Sequence, residues 1–401
     1  MPDDHPAILF GAFDRHNFGD LLLAHVVAHV TAKDMNGRAL HYCGLAERDL
    51  STCGGHAVQA LAQLAARVGE TPVDILHVGG EILTCSAWEA AVMLLPPTQA
   101  PAVIAQLDAD PAGRAAWARE QLGLHDLAPY LLPDGLFANV VKVSYHAIGG
   151  IDLDLLEAPM RAEVVAKLKA ANCVGVRDRH THAMLEFAGV GCHLEPDPAV
   201  MVAELFAPRI GRHARRGEPA GVVAAFPHGY LAVQCSADFG DDATLTTLAR
   251  QLEQLARAEN LGIVLFRAGA APWHDDLDVY RRLATRMNGV HVALFSSLDL
   301  WDICALIAHS RGFAGSSLHG GIVAGAWALP RMGLLRPGQS LAASKQAAFD
   351  ATWGTASTPS AVPVDALASG MAQAMAEPPA PRESLARDLV QACRAGFAAH
   401  A

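Results

Sequence analysis

The chain predicts an α/β protein of two domains, each built on a parallel sheet flanked by helices. Three observations predict it. Short apolar runs alternate with helix-period segments along most of the 401 residues, the pattern of parallel strands joined by crossover helices. That length exceeds what one hydrophobic core usually serves. The composition, 52% hydrophobic and 18% charged, is that of a well-buried globular chain.

The elements follow in order. Ala7 to Phe13 reads as a strand, Phe18 to Lys33 as an amphipathic helix, Arg38 to Cys43 as a strand and Ala57 to Val68 as a helix. Asp74 to Val78 reads as a buried strand ending in Gly79-Gly80, and Val140 to Tyr145 and Cys173 to Val176 continue the alternation. Residues 96–138 form a Pro-rich, Trp-bearing insertion with short helices around Ala112 to Leu122. A segment of that length in a compact domain is more often a lid or binding element than a surface insertion without a role.

Leu205 to Pro219 carries Arg209, Arg212, Arg215 and Arg216 among glycines and prolines. It reads as a linker between a first domain at 1–204 and a second at 220–339. In the second domain the expected strands are Gly221 to Phe226, Gly262 to Phe266, Val290 to Leu294 and Arg331 to Leu335. Helices are expected at Asp242 to Ala258, Asp275 to Met287 and Asp299 to Ala308. A helical tail, 340–401, has proline spacers at 359–363 and 378–381 and a last helix from Ser384 to Ala399.

Composition excludes several classes. A formal net charge of −11 argues against a nucleic-acid surface. No apolar run reaches the roughly 18–20 residues that span a bilayer, and the acidic start Met1-Pro2-Asp3-Asp4 is unlike a secretory leader. A cytoplasmic protein is expected. The eight cysteines are scattered without a Cys-x-x-Cys pair, so they read as reduced thiols. No His-Glu-x-x-His, calcium loop or Walker-type phosphate loop occurs, and no metal site is expected.

The richest segment runs from Gly312 to Pro330: an apolar strand, a Gly315-Ser316-Ser317 corner, then Leu318-His319-Gly320 opening a small-residue helix. A serine at the N-cap accepts from first-turn N–H groups, and the positive helix end favours an anion. His319 would sit beside that seat as a proton donor or acceptor. The plainer reading makes it a packing or capping residue.

Ser316-Ser317-Leu318-His319-Gly320 followed by an apolar helix and Pro330 resembles the C-terminal signature of the polysaccharide pyruvyl transferase family. Many members carry Arg where Ser317 stands. Three further segments resemble that family in the same order. They are Gly11 with Asn17-Phe18-Gly19-Asp20, then Val78-Gly79-Gly80-Glu81, then Val174-Gly175-Val176-Arg177-Asp178 with Asp197-Pro198. The resemblance implies two Rossmann-like domains facing a central cleft, similar to B-type glycosyltransferases.

It also implies a reaction: phosphoenolpyruvate gives its enolpyruvyl carbon to two sugar hydroxyls as a ketal, and phosphate leaves. No cofactor is implied beyond that donor substrate. The acceptor would be a sugar, a lipid-linked oligosaccharide or another glycan, with the four linker arginines able to approach an anionic, membrane-linked acceptor. The chemistry asks for cationic forks around the donor and a histidine for proton transfer.

His319 is therefore the catalytic candidate. Arg267, Arg177, Ser316, Ser317 and Gly320 are the donor-side candidates, with Arg311 a second substitute for the arginine absent at Ser317. Asn17, Asp20, Glu81 and His146 are the acceptor-side candidates. Structural readings compete throughout: an Arg267 ion pair with Asp275 or Asp276, Asp178 and Asn17 as helix caps, and a rigid Asp197 between prolines. Two other functions compete as well, a nucleotide-sugar-dependent glycosyltransferase and a non-catalytic glycan-binding relative.

Overall fold

The computed structural model describes residues 5–33, 37–355 and 360–400. The first residues of the chain and the start of the 359–363 spacer lie outside them. The chain divides into two compact units, 1–198 with 392–401, and 199–391.

The first unit is built on β1 (Ala7–Phe10), β2 (Leu40–Gly44), β3 (Arg48–Asp49), β4 (Ala57–Ala60), β5 (Val73–His77), β6 (Gly80–Glu81), β7 (Val140–Gly149), β8 (Cys173–Val176) and β9 (His193–Leu194). Their order is β3-β4-β2-β1-β5-β7-β8-β9, with β6 paired to β7. Among the described residues only β3–β4 is antiparallel. Ile8, Phe10, Ile75, Tyr145 and Val174 lie in its core. Strand order reverses between β1 and β5, which opens a crevice beyond their carboxyl ends. Asn17 caps the helix Phe18–Thr31 there, accepting from Gly19 N–H. Gly79 and Gly80, at φ +105° and +99°, make a turn closed to L side chains. A Cβ on Gly79 would also fall 2.8 Å from the His146 carbonyl oxygen.

The second unit carries β10 (Tyr230–Gln234), β11 (Gly262–Phe266), β12 (Val292–Phe295), β13 (Gly312–Gly315), β14 (Arg331–Leu334) and β15 (Ala361–Val362). They lie in the order β12-β11-β10-β13-β14-β15, all parallel. Leu231, Val233, Ile263, Leu265, Met332 and Leu334 fill its core. The order reverses between β10 and β13, where Gln234 pairs with Gly315. The Gly-Ser-Ser corner therefore stands at this sheet's switch point.

Several elements differ from the sequence reading. Ala57 to Ala60 is strand β4, and the helix begins only at Leu61. Residues 205–219 are not one loop: they lie in the helices Val202–His213 and Gly217–Ala225, joined by a short turn at 214–216. The expected strand Gly221 to Phe226 belongs to the second of these helices. Val222 and Phe226 are buried while the residues between them are exposed, a spacing of one helical turn rather than of a buried strand. The first strand of this unit is β10 instead. Arg209, one of the expected linker charges, lies over the Trp301 ring at 4.0 Å. The tail is not wholly helical either, since Ala361–Val362 adds β15 to the sheet before the last helix, Pro379–Ala399.

Candidate functional site

The β10/β13 rim gathers Gln234, Ser236, Ser316 and Ser317. Ser317 caps the helix Leu318–Ala326, its Oγ accepting from Gly320 N–H at 3.1 Å. Ser317 N–H itself donates to Gln234 Oε1 at 2.8 Å, and Ser316 Oγ lies 3.3 Å from the same oxygen while accepting from Ser236 N–H at 3.0 Å. Gln234, at the end of the central strand, thus fixes the serine corner. The Ser317 and Gly320 N–H groups are occupied by the protein, whereas the Leu318 N–H has no acceptor among the described residues. The anion seat is narrower than the sequence implied.

His319 lies in the first helical turn, 8% exposed. Gly320 has a packing role: a Cβ there would stand 2.5 Å from the Phe313 ring, so its absence lets the helix lie close on β13. A small cavity of about 20 Å³ opens on the β14 side of this helix, lined by Ser317, Leu318, Arg331 and Asp350 among others. Neither His319 nor Arg267 lines it, and Arg331 is neutralised there by Asp350 at 2.7 Å.

Arg267 directly follows β11, the strand beside β10. The ion pair with Asp275 or Asp276 does not form. Asp275 instead accepts from Ala268 N–H at 2.6 Å, Gln234 Nε2 at 2.8 Å and Tyr280 Oη at 3.3 Å, and Asp276 caps the helix Leu277–Ala284. Arg267 pairs with no carboxylate among the described residues, and its buried Nε has no hydrogen-bond partner there. A chain of contacts, Ala268 to Asp275 to Gln234 to Ser317, ties its strand end to the serine corner. Burial pushes the Asp275 carboxyl up to about 7, against the pull of its hydrogen bonds. Arg311 precedes β13 and so stands at the opposite, amino end of the sheet. It does not replace the arginine absent at Ser317.

The first unit holds the other candidates, and there Arg177 is already matched. Arg177 is 3% exposed between Glu81 and Asp197, with Nη1 3.1 Å from Asp197 Oδ2 and Nη2 bonded to Glu81 Oε2. Glu81 Oε1 also accepts from Ile151 N–H at 2.9 Å. Asp178 caps the helix Arg179–Phe187 through Thr181 N–H at 2.7 Å. Asp20 is buried in the first turn of Phe18–Thr31. Before it, Arg15 Nη1 donates to Tyr130 Oη at 2.6 Å and that hydroxyl donates to Asp14 at 2.9 Å. His146 does not end its strand. It lies inside β7, 1% exposed, beside Glu195 and His400.

Sequence reasoning missed Gln234 and assigned Asp275 only as a pairing partner. The signal for Gln234 was present in the apolar run Tyr230-Leu231-Ala232-Val233 after Gly229, which marks a buried strand whose end faces the switch point.

Residues 148–326 match the polysaccharide pyruvyl transferase family model. The resemblance of the motifs is borne out, and the match supports a transferase. The matched stretch contains Arg177, Asp197, Arg267 and His319, while Asn17, Asp20, Glu81 and His146 precede it. No curated protein matches the chain. Among solved structures, a UDP-GlcNAc 2-epimerase from Methanocaldococcus jannaschii is similar over 96% of this chain and 98% of its own, at 8% identity and TM-score 0.51. The Neisseria meningitidis UDP-GlcNAc 2-epimerase covers the same shares at 11% identity and TM-score 0.45. A glycosyltransferase from Rickettsia africae is similar over 99% and 98% at 10% identity and TM-score 0.45. At such identities the first of these speaks to fold alone, and it agrees with two Rossmann-like sheets. No helix among the described residues is long and apolar enough to cross a membrane.

Proposed function

We propose that the protein transfers the enolpyruvyl group of phosphoenolpyruvate to a sugar acceptor as a pyruvate ketal and releases phosphate. One observation carries the reading beyond the family match. At the β10/β13 switch point, a capped helix start bearing His319 stands on the same sheet rim as Arg267, a cation with no carboxylate partner among the described residues. Arg267 would hold the donor's carboxylate or phosphate by charge-assisted hydrogen bonds. His319 would move the proton between the sugar hydroxyl and the enol carbon.

The balance closes with these groups. The donor methylene gains one proton, its central carbon forms two C–O bonds to the sugar, and its C–O bond to phosphate breaks. Of the two hydroxyl protons lost, one is matched at the new methyl group and the other leaves with phosphate. A glycan or lipid-linked oligosaccharide fits as acceptor, and a cytoplasmic location suits this donor.

The test is incubation with phosphoenolpyruvate and a panel of glycans, reading phosphate release and the mass of the ketal product. Phosphate release that requires the glycan is expected. Glycosyl transfer from a nucleotide sugar, with no reaction of phosphoenolpyruvate, would favour the glycosyltransferase reading. Binding of glycans without turnover of either donor would favour the non-catalytic one.

A further inference from the structure

Four side chains outside this chemistry meet inside the first unit. His146 comes from β7, His193 from β9, Glu195 from the residue after it, and His400 from the end of the chain's last helical segment. Glu195 Oε1 lies 3.7 Å from His146 Nδ1, and Oε2 lies 3.5 Å from His193 Nε2 and 3.3 Å from His400 Nε2. The His146 and His400 rings are 3.8 Å apart at their centroids. The side chains of His146, Glu195 and His400 are only 1%, 4% and 4% exposed.

Such burial is costly for polar groups left without partners. Both ring nitrogens of His146 and of His400, and Nε2 of His193, lack a hydrogen-bond partner among the described residues. A buried imidazole ordinarily uses one nitrogen as donor and the other as acceptor. Here the nitrogens converge on one carboxylate that already accepts from Ala147 N–H at 2.5 Å. The backbone makes room for it: a Cβ on Gly175 or on Gly396 would overlap the Glu195 carboxylate.

We propose that His146, Glu195 and His400, whose ligand atoms lie within 4.8 Å of one another, bind one zinc ion, with His193 orienting the Glu195 carboxylate from 3.5 Å. Zinc takes imidazole nitrogen and carboxylate oxygen at about 2.0–2.2 Å in a tetrahedron, which puts neighbouring ligand atoms roughly 3.3–3.5 Å apart. The Glu195 carboxylate lies 3.7 Å from His146 Nδ1 and 3.3 Å from His400 Nε2, close to that spacing. Cys173 Sγ lies within 4.8 Å of the His193 and His400 ligand atoms, a soft donor that favours zinc over magnesium or calcium. The ion would tie residues 392–401 to β7 and β9, so its role is structural. The ligands come from one strand, the residue after another and the end of the chain, which is why no local His/Cys spacing announces them.

The test uses the full chain purified with and without chelator, reading zinc by elemental mass spectrometry, affinity by calorimetry and the melting temperature. One zinc per chain is expected. Chelation should lower the melting temperature, and zinc should restore it where magnesium does not. His193 is 34% exposed, so His193→Ala should fold. Altering groups that orient metal ligands costs about 10–100-fold in affinity, so its zinc affinity should fall by that much. His146→Ala should lose the ion, and the exposed His228→Ala should keep it. No zinc in the untreated chain and no thermal response to added zinc would overturn the proposal. So would zinc bound equally well by His146→Ala, which would place it elsewhere.

Discussion

Both units carry an arginine at the carboxyl rim of a parallel sheet, yet they use it in opposite ways. In the first, Arg177 is claimed on both sides by Glu81 and Asp197. In the second, Arg267 pairs with no carboxylate among the described residues, because Asp275 is held by Ala268, Gln234 and Tyr280. Charge neutralised within the fold mainly sets geometry. Charge left over at a switch point is available to a ligand. The proposed anion binding therefore rests on Arg267 in the second unit, although the sequence offered Arg177 as a donor-side candidate too.

The largest effect should fall on His319. Proton transfer by a positioned side chain is worth about 10²–10⁴ in rate, so His319→Ala should lose that much turnover while keeping its melting temperature. Single-turnover rates within a few-fold of the parent would leave the second unit without its proton-transfer group.

Asp197→Ala tests the first unit's side of the contrast. It leaves Arg177 buried with one partner fewer, and breaking a buried pair costs about 3–5 kcal/mol. Urea denaturation should show that loss of stability. A stable Asp197→Ala protein with weakened donor binding would instead make the triad part of the donor site.

A smaller, pH-dependent effect belongs to Asp275. Its carboxyl is raised from 3.8 to about 7 by burial. Between those values the folded state holds a proton that the unfolded state has lost. Stability should therefore decline as pH rises from about 4 to 7, then level off. Asp275→Asn should flatten that decline in melts taken across the range. An unchanged slope would assign it to another group.

The alternation of strands and helices was legible because buried parallel strands leave short apolar runs: Cys173–Val176 and Gly262–Phe266 fall where the sequence placed them. The helix Gly217–Ala225 was not, since its alanines and valines satisfy a strand pattern as easily as a helix. The serine corner and His319 were legible from cap chemistry, and the structure puts Ser317 at that N-cap. Gln234 and the Glu195 cluster were hidden for a different reason. Their meaning depends on which strands become neighbours, and a linear pattern does not carry register.

The most direct measurement is calorimetric titration of phosphoenolpyruvate into the parent protein and into Arg267→Ala. The parent should bind without a nucleotide or added divalent metal. Binding by Arg267→Ala should be weaker by about 1.5–3 kcal/mol, the worth of a hydrogen bond to a charged group. Equal affinity in the two proteins, or no heat with phosphoenolpyruvate where a nucleotide sugar binds, would contradict these expectations.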